Sequence, residues 1–202
     1  MQLPTAFLAI ALLAVSPASQ AEEDPQQAFF DNLAALCGQA FEGEVTDGGG
    51  DPNFEGRLVM HVRECSDDQI KVPFHVGENR SRTWIITRTD DGLELKHDHR
   101  KEDGSDDVIT MYGGHTAEPG WAQVQAFPVD EYSQDLFVRE GLAVSVTNTW
   151  WLWLYPGEHF TYRLSREARN FVVRFDLSEP VEPPPAPWGR GPVKASVSND
   201  IR

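Results

Sequence analysis

The spacing of apolar residues changes character once along the chain, near residue 40, from a helical repeat to alternation. Before that point Phe29, Phe30, Leu33, Leu36 and Cys37 recur at helical spacing. Asp24 offers a cap, Pro25 suits the first helical position, Gln27 falls three after Asp24 as in a capping box, and Gly38 provides a stop. A helix over 25–37 is predicted. From Phe41 onward, short alternating or β-branched and aromatic runs are separated by acidic, Gly-bearing turns. They predict strands near 41–45, 57–65, 69–76, 82–88, 93–100, 108–113, 121–127, 142–154, 159–165 and 170–177. A second short helix follows Pro128, capped by Asp130, with Val129, Tyr132 and Leu136 on one face. The connections are short, so the expected fold is all-β and mainly antiparallel. A meander of about 8–10 strands closes into a barrel or barrel-like sandwich, because an open sheet leaves pairing edges exposed.

Two turns set the register of the middle strands. Asp91-Gly92 suits a type I′ hairpin, and Asp103-Gly104 centres the next loop. With even loops, His97 lies opposite Ile86 and Thr110, and His99 opposite Trp84 and Val108. One face then carries Trp84, Ile86, Leu93, Leu95, His97, His99, Val108, Thr110 and Tyr112. The other carries Ile85, Thr87, Glu94, Lys96, Asp98, Arg100, Ile109 and Met111. The first is the more apolar and is assigned inward. A slip by one residue would reverse the assignment.

The ends of the chain add a compartment. Ala6–Val15 is uncharged and has the length of a signal-peptide core, short of the roughly 20 residues of a membrane span. Ser19 and Ala21 fit the small-residue positions of a cleavage site, which assigns 1–21 to a signal peptide and 22–178 to a single β domain. No Lys or Arg precedes the run, so an uncleaved anchor is the alternative. Residues 179–202, with Pro180, Pro183, Pro184, Pro185 and Pro187, are expected to form an extended tail pinned to the domain by Trp188 and disordered beyond it. A periplasmic or secreted protein follows, with no membrane insertion after cleavage. In that setting Cys37 and Cys65, the only cysteines, read as one disulfide, which in the chain-entropy model adds about 3 kcal/mol. Two free buried thiols are the alternative.

The formal charge of −15, from 32 acidic against 17 basic residues, repels phosphate backbones and anionic lipids. Nucleic acid and membrane surfaces are excluded as partners; a small molecule is not, and oligomeric state is not legible. Asp103-Gly104-Ser105-Asp106-Asp107 lacks the spacing of a calcium loop.

Chemistry concentrates at His97-Asp98-His99. Residues two apart on a strand project the same way, so His97 and His99 can share one zinc or copper ion with a third ligand from His61, His75, His115 or His159. The competing reading is two hydrogen-bonded imidazoles beside Thr110 and Tyr112. Arg80, Arg82 and Arg88 can take an anionic ligand or pair with the abundant acids. In Trp150-Trp151-Leu152-Trp153-Leu154-Tyr155 both faces are apolar, which implies burial on both, with the first helix covering the outside; a sugar-binding platform is the functional alternative. No nucleophile elbow and no Gly-rich phosphate loop is present.

The run Leu95-Lys96-His97-Asp98-His99-Arg100, with Asp103-Gly104-Ser105 and Thr110-Met111-Tyr112-Gly113-Gly114, resembles a family of uncharacterised bacterial exported proteins. Ser81-Arg82-Thr83-Trp84, Phe175-Asp176-Leu177 and Pro187-Trp188-Gly189 extend the likeness over most of the mature chain, and it implies no activity. The strand count is similar to that of lipocalins, whose Gly-x-Trp is not found near Phe41. The leading expectation is a non-enzymatic exported barrel binding a small ligand in a lumen lined by Trp84, His97, His99, Thr110 and Tyr112. The alternatives are a metal-dependent enzyme on His97 and His99, and an envelope protein that binds a partner through its tail or exposed aromatics.

Overall fold

The structure, a computed structural model, describes residues 24–191; the expected signal peptide and the last residues of the tail lie outside the described residues. Helix α1 (Pro25–Ala34) starts at Asp24, whose carboxylate accepts from the Gln26 amide, with Pro25 in the first turn. It ends three residues before the expected limit. Gln27 makes no capping box and bonds Asp31 one turn on.

Eleven strands follow: β1 (Ala40–Asp47), β2 (Leu58–His61), β3 (Glu64–Cys65), β4 (Gln69–Val76), β5 (Asn79–Thr89), β6 (Gly92–His99), β7 (Tyr112–His115), β8 (Val124–Pro128), β9 (Thr149–Tyr155), β10 (His159–Arg166) and β11 (Arg169–Asp176). Helix α2 (Glu131–Arg139) sits between β8 and β9, capped by Asp130. It buries Ser133, Leu136 and Phe137 while Tyr132 is exposed, so its inner face is turned from the expected one.

Ten strands form one antiparallel path in the order β7-β6-β5-β4-β2-β1-β11-β10-β9-β8, and β3 adds to β4. The expected all-β, barrel-type class with two helices is therefore found. The path bends round until its two ends meet. There the Asp130 amide donates to the Gly113 carbonyl at 2.9 Å, and the Ser133 hydroxyl accepts from the Gly113 amide at 2.7 Å. The seam is thus closed by the start of α2 and not by a ladder. Backbone approaches here are so close that a Cβ on Gly113 would strike the Leu95 carbonyl and one on Gly114 the Pro128 carbonyl.

Alternation along the strands fills the barrel. Phe41, Met60, Phe74, Trp84, Leu95, Phe127, Trp150, Leu152, Phe160, Val173 and Phe175 all join one buried cluster. Helix α1 stoppers one end. Phe29, Phe30 and Leu33 are buried in the same cluster, Gln26 bonds Thr116 beyond β7, and Asp31 pairs with Arg88 near the end of β5. Burying each of those three side chains stabilises the plug by about 1.5–3 kcal/mol. This corrects the expectation that the helix shields the outside of the Trp-rich strand. On β9, Trp150, Leu152 and Leu154 face inward, whereas Trp151 and Trp153 are only half-buried on the outer face and Tyr155 is exposed.

The cysteines do pair: Cys37 and Cys65 are disulfide-bonded, tying the segment after α1 to β3. The tail from Glu179 is extended and lies across the outer face of the barrel. Val181 bonds Ala40, Arg80 donates to the Ala186 carbonyl, and Arg190 pairs with buried Asp98. Trp188 is half-buried, its amide donating to the Arg80 carbonyl. No helix among the described residues is long and apolar enough to cross a membrane.

The disulfide closes a 28-residue separation, which in the chain-entropy model is worth about 3–4 kcal/mol. A Cys37→Ser/Cys65→Ser variant is expected to lower the unfolding free energy by that amount in urea titrations, with a raised m-value because the uncrosslinked denatured chain exposes more surface.

Candidate functional site

The open end of the barrel is built on three neighbouring strands. Across β5 and β6 the partners are Arg82↔His99, Trp84↔His97 and Ile86↔Leu95, and across β6 and β7 His97↔Tyr112. Each ladder is offset by two residues from the expected register. In the first hairpin the turn holds Asp90 and Asp91, and Gly92 takes its positive φ of 118° inside the first pair of the ladder. In the second, residues 100–111 form a loop instead of a strand beginning at 108. Arg100 and Asp106 make an isolated bridge there, and Met111 has φ 56°, which breaks the alternation before pairing resumes at Tyr112. Val108 is consequently 60% exposed rather than inside, and Ile109 packs against the core rather than facing out. A two-residue shift preserves the face, so Trp84, His97, His99 and Tyr112 all point inward.

Those four side chains line a cavity of about 170 Å³ together with Asn53, Phe54, Phe74, Arg82 and Tyr162. Thr110 does not line it. Its hydroxyl accepts from the His99 amide and holds the loop against β6. The cavity widens outward into a vestibule of about 550 Å³ that shares Asn53, Phe54, His99, Tyr112 and Tyr162 and is walled by Ile109, Phe137, Leu142, Trp150, Leu164 and Phe171. A 3-10 turn at Pro52–Phe54, capped by Asp51, hangs over the opening.

The inner walls are aromatic stacks. Trp84 lies between Phe74 (5.0 Å, 20°) and Tyr162 (4.7 Å, 9°), and the His97 ring stacks on Tyr112 (4.6 Å, 11°). Such pairs add about 0.5–1.5 kcal/mol each beyond area burial and hold the walls rigid. A polar relay runs behind them. His97 Nδ1 donates to the Tyr112 carbonyl at 3.1 Å, and His97 Nε2 accepts from the Tyr162 hydroxyl at 3.0 Å. Tyr162 in turn accepts from the Trp150 indole. The Tyr112 hydroxyl and His99 Nε2 share a bond of 3.1 Å.

Burial dominates the titration of these groups. It lowers His97 to about 3, with the His99 charge adding to the effect, and lowers His99 to about 4, assisted by Arg82. The Tyr112 and Tyr162 hydroxyls are raised by the same desolvation. At neutral pH the cavity therefore holds neutral imidazoles and neutral phenols. Both nitrogens of His97 are already engaged. The other four histidines lie elsewhere: His61 is buried at the end of β2, His75 is buried near His61, Arg63 and Arg80, His115 is exposed near Glu94, and His159 stacks on Tyr155. Among the described residues no group of three or more His, Cys, Asp or Glu side chains is placed to hold a metal ion.

Three residues of the site carry weaker sequence signals. Tyr162 alternates with Phe160 and Leu164 on β10, and Phe54 lies in a loop with no periodicity. Arg82 shares the face of Trp84 by parity alone. Of the other two clustered arginines, Arg80 bonds the tail and Arg88 pairs with Asp31. Trp151 on the outer face lines a separate apolar groove with Trp121 and Val124, away from this cavity. The chain matches no protein-family model, no curated protein and no solved structure.

His75, lowered to about 4 by burial and neighbouring cations, joins His97 and His99 as a ring held neutral when folded but titrating near 6.5 when unfolded. With folded values depressed, unfolding takes up protons below 6.5, so stability is full above that pH and falls as pH drops toward 4. Each ring contributes a slope of up to about 1.4 kcal/mol per pH unit. Urea midpoints between pH 7.5 and 4.5 are expected to show this decline, and His97→Phe to reduce the slope by about one proton.

Proposed function

We propose that this chain is an exported, non-enzymatic binding protein whose ligand is a small molecule held in the open end of the barrel. The observation that carries the reading is the one-ended cavity: stoppered by α1, rigidly walled by aromatic rings, and open through the vestibule. Its inner volume of about 170 Å³ compares with the engineered apolar cavity of about 150 Å³ that takes up benzene. One aromatic ring or a compact aliphatic group fits the inner part, with any larger remainder in the vestibule. Aromatic walls with a few convergent polar groups are the common composition of such sites. Export is supported by the uncharged apolar N-terminal run with its small-residue cleavage positions and by the Cys37–Cys65 disulfide.

Trp84 lines the inner cavity and Trp150 the vestibule, so entry of a ligand is expected to change tryptophan emission saturably. Titration with p-cresol, indole and phenylacetate is the measurement, paired with native mass spectrometry of freshly purified protein. A binder at one hundred times its Kd stabilises the fold by about 2.7 kcal/mol, visible as a rise in Tm. Trp84→Phe is expected to remove most of the optical signal while leaving the Tm rise. Should no probe move either signal and no small molecule travel with the protein, the reading is wrong.

A further inference from the structure

Strand β5 carries an arginine at each end of its lumenal face, and their surroundings differ in one respect. At the plugged end, Arg88 lies over the Phe30 ring, 4.3 Å from its centroid, and its Nη2 bonds the Asp31 carboxylate at 3.1 Å. At the open end, Arg82 lies over the Phe54 ring, 5.2 Å from its centroid, but among the described residues it pairs with no carboxylate and donates no hydrogen bond. Its Nη1 is fully buried and has no acceptor. The chain has 32 acidic side chains against 17 basic ones, so a lack of acids does not explain this. The two acids at the mouth are engaged elsewhere: Asp51 with Arg169 and the Asn53 amide, Asp107 with the Ile109 amide.

Arg82 is half-buried with its Nη1 fully enclosed, and a desolvated guanidinium nitrogen without an acceptor is disfavoured unless something external supplies the partner and the counter-charge. Guanidinium stays protonated despite its burial, and its planar fork matches a carboxylate in two parallel bonds. The polar groups beside it are neutral and committed to one another through the relay, which leaves Arg82 as the cation of the inner cavity.

Resting on the small-ligand reading above, we propose that the ligand is a small monocarboxylate with an apolar body. Its carboxylate occupies on Arg82 the place that Asp31 occupies on Arg88, and its body packs against Phe54, Phe74 and Trp84. A doubly charged phosphate is a poorer match, because the walls offer apolar surface and one guanidinium rather than a ring of donors.

The test uses matched pairs of equal shape. Calorimetric titration of the purified protein with phenylacetate against phenylacetamide, and 4-hydroxybenzoate against 4-hydroxybenzamide, is compared for wild type and Arg82→Met, with inorganic phosphate as a third probe. The carboxylates are expected to bind wild type at least tenfold tighter than their amides. Arg82→Met is expected to lose that preference while binding the amides unchanged. The same substitution is expected to raise the Tm of the ligand-free protein, because it removes a half-buried, unpaired charge whose Nη1 has no acceptor; a structural arginine would give the opposite sign. Amides and carboxylates binding alike to both proteins would overturn the carboxylate assignment and leave the small-ligand reading standing. Phosphate binding as tightly as the carboxylates, or a lowered Tm in Arg82→Met, also overturns the assignment. If no member of either pair binds, both readings fall.

Discussion

The plug at one end of the barrel is the constraint from which the rest of the architecture follows. A ring of ten strands is wide enough that its own side chains need not fill it, and apolar residues then face a void from both ends. Helix α1 resolves one end by adding Phe29, Phe30 and Leu33 to the buried cluster, against β8 and β9. Three different interactions hold it: the disulfide beyond its C-terminus, the Asp31–Arg88 pair and the Gln26–Thr116 bond. With that end packed, the inner cavity and its vestibule lie at the other, where the aromatic stacks and the histidine relay stand.

Closure of the ring imposes its own demands. Strand β7 is four residues long and meets β8 without a continuous ladder, so two edges of exposed amides and carbonyls face each other. The Gly113-Gly114 pair lets the backbones approach, and Asp130 and Ser133 at the start of α2 satisfy the polar groups there. Lys96 from β6 reaches Asp130, so the capping carboxylate of α2 is also tied to the sheet. Two residues along the same outer face of β6, Asp98 is buried and pairs with Arg190 of the proline-rich tail.

How much of this could be read from residues alone depends on which physical rule was in play. The inward direction of His97 and His99 was legible because side-chain direction repeats every two residues, so an error of two in each hairpin left it intact. The same rule failed at Val108 and Ile109, because a loop ending in the left-handed Met111 interrupts the strand that alternation implied. The amphipathic stripe of α1 was clear, but an apolar stripe is the same whether it covers a sheet or stoppers a barrel. Parity placed Arg82 beside Trp84. Whether one of 32 acids would reach it is a matter of three-dimensional arrangement that no local pattern encodes. Phe54 was invisible for a different reason: it arrives from a turn held by Asp51, with no repeat to announce it.

The pairing of β1 with β11 has a consequence for how the chain acquires its shape. Gly43 stands opposite Phe175, so nearly the whole described sequence lies between two neighbouring strands. Closing so long a loop carries an entropic cost before any contact across it repays that cost, which places this step late in folding. A chain made or threaded from its N-terminus must hold the inner edge of β1 unpaired until residue 176 is available. The early part is not without support in the meantime. The Cys37–Cys65 bond needs only the first hairpins, and it fastens the stopper to the growing sheet before the ring around it exists.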